Sequence, residues 1–518
     1  MASKEWEYDV RLTSNPQTAD QFTRENPDPD RKLVIGVLAD LAGQAGATSP
    51  WLRVPLHKRR FIDIDRDNFD EMLSRCDVRW QGRIEGPAGD ANVHLPVELA
   101  FRNIEDFHPD RIVRQIPALR ALHGLLADLE DPAQCDEAAA RLAQWSGFVE
   151  EPRAEKIPAP PLKERQPDPV DKAKLLDAIL ERQEPPGAPA SELDRLVREI
   201  VAPHAIRTDA RRQEALVTAV HCALSSRMSI IMHHPAFLSL EALWRGLRFL
   251  VDSAGADIRV RVVHITKEEL LGEVISGQSL EASELARLLL EPASIPGSEQ
   301  FSLLVGAYEF SHDLEDLAIL ERLGNICAGL KAPMISAAAP QLLGSPTFEG
   351  LPPVHDIEKL FDGRDFRPWQ LLRQTPPARW LALALPRLLC RLPYGARTQP
   401  AESFLFEEQV RGEHGRFVWG NPAFAVAAVF AQAFAADGWQ MDPSTSMTRL
   451  EGLPLYNYEV DGEMVTKPCA EVLMGEQTVE ALMNGGLLPL VSYRDADIVG
   501  FPSLQTLANP RAPLRVMR

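Results

Sequence analysis

The apolar positions of this chain switch between two periods, and the switches mark out its elements. Leu33-Val34-Ile35-Gly36-Val37-Leu38 is a short continuous apolar run, which predicts a strand buried on both faces and starts a globular region near residue 30. Phe69, Met72 and Leu73 then fall at helical spacing behind an Asp-rich stretch. From Pro109, a residue suited to the first helical position, Ile112, Val113, Ile116, Leu119, Leu122, Leu126 and Leu129 form one stripe that needs a partner surface. Pro117 lacks an amide donor and is expected to divide that helix near Gln115 or Ile116.

Further along, Leu240, Leu243, Trp244, Leu247 and Val251 share a helical face, with Glu241 and Arg245 set to pair at i, i+4 on another. Ile258, Val260 and Val262 alternate with Arg259 and Arg261, so the following strand has one buried face and one that is wet or paired with acids. Ala423 to Ala436 is too short for the ~20 residues of a bilayer span and reads as a buried Ala-rich helix. No repeat period recurs.

These patterns predict an α/β (α+β) protein of several domains, with mixed sheets flanked by helices. Residues 11–30 are polar, so that 1–30 reads as an N-terminal arm, and 31–149 as a first, smaller domain. Residues 150–190 hold a Pro-rich linker or arm containing one brief helical pattern at Leu175, Leu176 and Ile179, and 191–518 form the large region. At roughly 100–200 residues per domain, the length allows two to four.

A net charge of -19 opposes non-specific binding to phosphate backbones, so nucleic acid is not an expected partner. The six cysteines are scattered with no CxxC, as in reduced cytoplasmic proteins. The first ten residues carry charges and no apolar segment, so no signal peptide is expected and the chain is placed in the cytoplasm, without membrane insertion.

Candidate chemistry fails residue by residue. Asp63-Ile64-Asp65-Arg66-Asp67-Asn68 opens like a calcium loop, but Asn68 stands where Gly is needed and Ser74 where a bidentate Glu is needed, which leaves a capped strand-to-helix junction. His233-His234 lies before Pro235 in a turn with no ligand at metal spacing. His221-Cys222 diverge on a helix, and Glu407-Glu408 reads as one solvated carboxylate and one that bridges across a sheet. No phosphate-binding or nucleophile motif occurs. Arg387 and Arg391 flank a tight apolar segment before Pro393-Tyr394-Gly395 and need acidic partners, the pattern of a structural ion network. No catalytic residue, metal or cofactor is assigned, and an enzyme is not expected.

Two stretches resemble partner subunits of one machine. Ile35-Gly36-Val37-Leu38-Ala39-Asp40-Leu41-Ala42-Gly43, Arg60-Phe61-Ile62-Asp63-Ile64-Asp65-Arg66-Asp67-Asn68-Phe69-Asp70-Glu71 and Glu105-Asp106-Phe107-His108-Pro109 resemble TssB (VipA), the small sheath protein of type VI secretion. From about Leu175 the chain resembles TssC (VipB), the large sheath protein, most clearly at Met232-His233-His234-Pro235-Ala236-Phe237 and at Ala384-Leu385-Pro386-Arg387-Leu388-Leu389-Cys390-Arg391-Leu392-Pro393-Tyr394-Gly395. Supporting segments are Trp419-Gly420-Asn421-Pro422-Ala423 and Glu451-Gly452-Leu453-Pro454. Ala307 stands where that family has Asp, and the chain reaches Arg518 soon after the match at Pro489-Leu490, where typical large subunits continue.

The resemblance implies a contractile-sheath fold and a structural subunit that polymerises with its own copies. It also implies an Hcp-like inner tube and a baseplate as partners. A ClpV-type ATPase is a further implied partner, although the segment that recruits it is not recognisable. Under the same resemblance, Ile112, Val113, Ile116, Leu119 and Leu122 are subunit or domain interface residues that dock on the large-subunit half. Leu175, Leu176 and Ile179 belong to an arm that reaches a neighbour. The alternative is a non-contracting paralogue acting as a cap, baseplate or regulatory module.

Overall fold

Every residue of Leu33–Ala39 is buried, and this strand, β1, lies inside a sheet with a neighbouring strand on each side. The computed structural model describes residues 31–43, 54–85, 94–131, 133–144, 209–293, 299–410, 413–442, 449–460 and 462–516. The interval expected to hold the linker and the brief Leu175, Leu176, Ile179 helix lies outside the described residues, as does the arm expected over 1–30.

After β1 come β2 (Ile62–Ile64), α1 (Phe69–Arg75), the antiparallel pair β3 (Val78–Glu85) and β4 (His94–Phe101), then α2 (Pro109–Gln115), α3 (Pro117–Glu130) and α4 (Cys135–Gln144). Beyond residue 208 follow α5 (Asp209–Met232), α6 (Pro235–Ser253), β5 (Ile258–His264), α7 (Lys267–Ile275), α8 (Glu284–Ala293), β6 (Leu303–Phe310), α9 (Leu314–Leu330) and β7 (Met334–Ala338). The remainder holds α10 (Val354–Asp362), α11 (Arg367–Gln374), β8 (Leu381–Leu385), β9 (Leu388–Leu389), β10 (Trp419–Gly420) and α12 (Ala423–Asp437). It closes with β11 (Arg449–Leu450), β12 (Tyr456–Val460), β13 (Glu463–Lys467), α13 (Glu476–Asn484), β14 (Leu488–Pro489), β15 (Val491–Ser492) and β16 (Val499–Gly500).

The 7-stranded sheet has the order β14-β8-β7-β6-β1-β5-β2. All neighbours in it are parallel except β2, which runs antiparallel to β5 at one edge. Because β1 pairs with β5 on one side and β6 on the other, the N-terminal and C-terminal regions build one sheet. Strand alternation divides the apolar side chains between two layers. Leu33, Ile35 and Val37 join a core with Phe237, Trp244 and Phe430 from α6 and α12, while Val34 and Leu38 join another with Leu317, Leu320 and Leu323 from α9. The result is a helix–sheet–helix sandwich, a mixed α/β architecture as expected.

Local chemistry explains the breaks. Pro109 takes the first position of α2, and the helix stops at Ile116, whose extended φ of -91° and ψ of 113° is what a residue before proline prefers. Between β2 and α1, the Asp65 carboxylate accepts the amides of Asp67 and Asn68 at 3.0 and 2.9 Å, so the Asp-rich stretch is a hydrogen-bonded junction. On α6, Gly246 lets α12 approach closely: a Cβ there would lie 2.6 Å from a ring carbon of Phe424. Ala423–Asp437 is the buried Ala-rich helix expected from composition.

Candidate assembly interface

A layer of aromatic rings joins the N-terminal elements to α6. Phe69 of α1 meets Trp244 edge-on at 5.8 Å, and Trp80 of β3 meets Phe237 edge-on at 5.9 Å. Phe101 and Phe107 stack on each other at 4.0 Å, and both turn toward Phe237. Each such pair adds about 0.5–1.5 kcal/mol beyond burial. The polar edge is satisfied as well, because the Trp244 indole donates to the Leu41 carbonyl at 3.2 Å. Nearby, the Asp110 carboxylate accepts the amides of Glu402 and Ser403, both at 2.9 Å.

The structure places Ile112, Val113, Ile116, Leu119 and Leu122 inside this layer, none more than 2% exposed. Ile112 and Val113 stand on α2 and Ile116 at the break, while Leu119 and Leu122 stand on α3, which lies along α5, whose Leu216, Val220 and Leu224 enter the same core. Gln213 of α5 donates to the carbonyls of Leu129 and Glu130 at 2.7 and 3.1 Å, closing the C-terminal end of α3. Gln213–Met232 is long and apolar enough to cross a bilayer by composition, yet here it supplies core side chains against α3. Leu175, Leu176 and Ile179 lie outside the described residues.

Beneath the seam sits a buried charge network. The Arg391 guanidinium donates to Glu241 at 2.7 and 3.2 Å and to Glu408 at 2.6 and 3.1 Å, and all three side chains are at most 4% exposed. Arg245 donates to Glu241 and to the Tyr394 hydroxyl, Glu408 also accepts the Tyr394 amide at 2.8 Å, and the His233 ring lies 3.2 Å from it. The expected Glu241–Arg245 pair therefore exists, and Glu241 is in addition fully buried, because Arg391 packs on that face and shares its carboxylate. Glu408 is the bridging carboxylate of its pair, reached from an irregular segment in place of a strand, while Glu407 caps the Ala396 amide.

Burial alone would raise the Glu408 carboxyl, but Arg391, His233 and the Tyr394 amide overrule it and hold the group at about 2. A depressed folded pKa gives stability that is full above the unfolded value of 4.5 and is lost as pH falls toward 2. The urea-midpoint gap between the wild type and Glu408→Gln is therefore expected to be constant from pH 8 to 5 and to shrink between pH 4.5 and 3. A gap that ignores pH would contradict this assignment.

Arg387 has its own partner: it donates to the buried Glu471 at 2.8 and 2.6 Å, and the His414 ring lies 2.7 Å from the same carboxylate. Both guanidinium groups read from the sequence as needing acids are thus paired. A further pairing, for which no local signal existed, joins Arg59 to Glu269 at 2.5 and 2.9 Å beside His264. Burial, then Arg59, pushes the His264 ring down to about 4, and the neutral ring accepts the Leu41 amide at 3.0 Å. Among the described residues, no group of three His, Cys, Asp or Glu could hold a metal ion, and all six cysteines are free. The arrangement is rigid and paired, which suits fixing one element against another.

Residues 214–508 match the family described as EvpB/VC_A0108, tail sheath N-terminal domain. Residues 20–144 match the family described as type VI secretion system, VipA, VC_A0107 or Hcp2. The chain is 32% identical over 306 residues to the type VI secretion system sheath protein TssC1 of Pseudomonas aeruginosa, covering 57% of this chain and 61% of that relative. It is 31% identical over 91 residues to the sheath protein TssB1 of the same organism, covering 17% of this chain and 49% of TssB1. The chain thus spans about three-fifths and about half of these two relatives.

Proposed function

We propose, for a chain that belongs to the tail sheath family and carries a VipA-like region ahead of its VipB-like one, that it is a fused sheath protomer of a type VI secretion machine. The observation that carries this reading is β1. A strand from the VipA-like region fills the gap between β5 and β6 of the VipB-like region, so one polypeptide supplies the unit that two sheath subunits supply elsewhere. In this role the chain polymerises in the cytoplasm around an Hcp-like inner tube on a baseplate, and contraction of the polymer drives the tube outward. A ClpV-type ATPase would disassemble it. The work is mechanical, with no bond made or broken by the chain, which fits a site built of paired charges and packed rings.

Sedimentation velocity of the purified chain, alone and with its tube protein, tests the reading. Particles much larger than the 57.5 kDa chain are expected in at least one sample. Monomers in both would contradict it.

A further inference from the structure

Two surfaces of opposite charge that are unpartnered among the described residues lie far apart on the protomer. The first is a cleft of about 490 Å³ along the edge strand β2, lined by Lys58, Arg60, Phe61, Ile62 and Arg75 among others. Arg59 and Arg261 at this cleft are paired with Glu269 and Asp63. Lys58, Arg60 and Arg75 are exposed, and among the described residues no carboxylate pairs with them. Three uncompensated cations thus sit beside half-buried apolar residues on a chain whose net charge is -19.

The second surface is the β12–β13 hairpin, a 2-stranded sheet that pairs with no other strand among the described residues. A lone hairpin is marginal in water, and this one is held at its base, where Tyr456 meets Phe417 at 6.0 Å. Its outer part carries the exposed carboxylates Glu459 and Glu463, with Met464 62% and Val465 36% exposed between Glu463 and the base. Glu459 and Met464 are cross-strand partners, so an acid and an apolar side chain are presented side by side.

We infer that the β12–β13 hairpin of one protomer docks in the β2-edge cleft of the next, with Glu459 and Glu463 meeting Arg60 and Arg75 and with Met464 and Val465 meeting Phe61 and Ile62. The inference rests on the sheath reading and names the partner as a second copy of this chain. The two surfaces belong to one molecule but stand apart. The hairpin leads into Cys469, which hydrogen-bonds to Leu389 just after β8, and β8 is five strand positions from β2, about 24 Å at ~4.8 Å per strand. A contact between different patches is head-to-tail, and such contacts propagate into rings or helices instead of closing as a dimer. Local charge complementarity also supplies what a strongly acidic protomer needs, since its copies otherwise repel.

The test is a charge swap read by pelleting. Glu459→Lys/Glu463→Lys and Arg60→Glu/Arg75→Glu chains, all altered at exposed positions, are expected to fold like the wild type by circular dichroism. Each alone should lose at least tenfold in pelleted protein, and an equimolar mixture should recover it, because each altered hairpin then finds an altered cleft. Assembly of either variant alone at the wild-type level, or a mixture that stays soluble, overturns the inference while leaving the sheath reading intact. A wild type that never assembles overturns the sheath reading instead. In that case the contact is still read by oxidising a mixture of Glu463→Cys and Arg75→Cys chains, each also carrying Cys222→Ser because that free thiol is exposed: a mixed disulfide between positions 463 and 75 supports it and its absence refutes it.

Discussion

Arg391→Ala is expected to destabilise the chain by about 3–5 kcal/mol, the cost of removing one partner from a buried ion pair. Glu241 and Glu408 would be left as two carboxylates in a site where neither side chain exceeds 1% exposure. Their remaining partners, Arg245 for one and the Tyr394 amide and His233 for the other, do not replace the lost cation between them. The check is a urea midpoint at pH 7 compared with Arg248→Ala, which removes an i, i+4 pair with Asp252 whose side chains are 34% and 45% exposed. That control should cost under about 1 kcal/mol. Equal effects of the two substitutions would mean that the network contributes no more than a surface pair.

Leu122→Asp carries the second large effect. Leu122 is fully buried where α3 lies on α5, so Leu122→Ala alone should cost about 2–5 kcal/mol, and an aspartate adds the desolvation of a charge with no partner. The cheapest relief is for α3 to leave α5, which opens the seam on one side of the ring layer. Hydrogen exchange should rise over α2, α3 and the facing stretch of α5, and pelleted assemblies should disappear. Unchanged exchange together with normal assembly would show that the stripe does not hold the two regions together.

The elements of this fold were legible where the signal is local. The continuous run at Leu33–Leu38 gave β1, Pro117 marked the break between α2 and α3, and the alternation at Ile258–Val262 gave β5 with Arg259 and Arg261 paired to Glu299 and Asp63. Arg387 and Arg391 announced a need for acids because fixed guanidinium groups in an apolar segment demand them. Which acids answered was not legible. Glu241 lies 150 residues from Arg391 and Glu471 lies 84 from Arg387, and only the folded chain brings them together. For the same reason Glu241 read as one member of a helical pair, since periodicity reports a face and not what later packs on it. The place of β1 was hidden likewise: an apolar run shows that a strand is buried, while its neighbours Ile258 and Leu303 come from beyond residue 250.

Negative-stain electron microscopy of the purified full-length chain, alone and with its tube protein, tests the central claim most directly. A fused sheath protomer should give long hollow cylinders. Monomers or single small rings in both samples would contradict it.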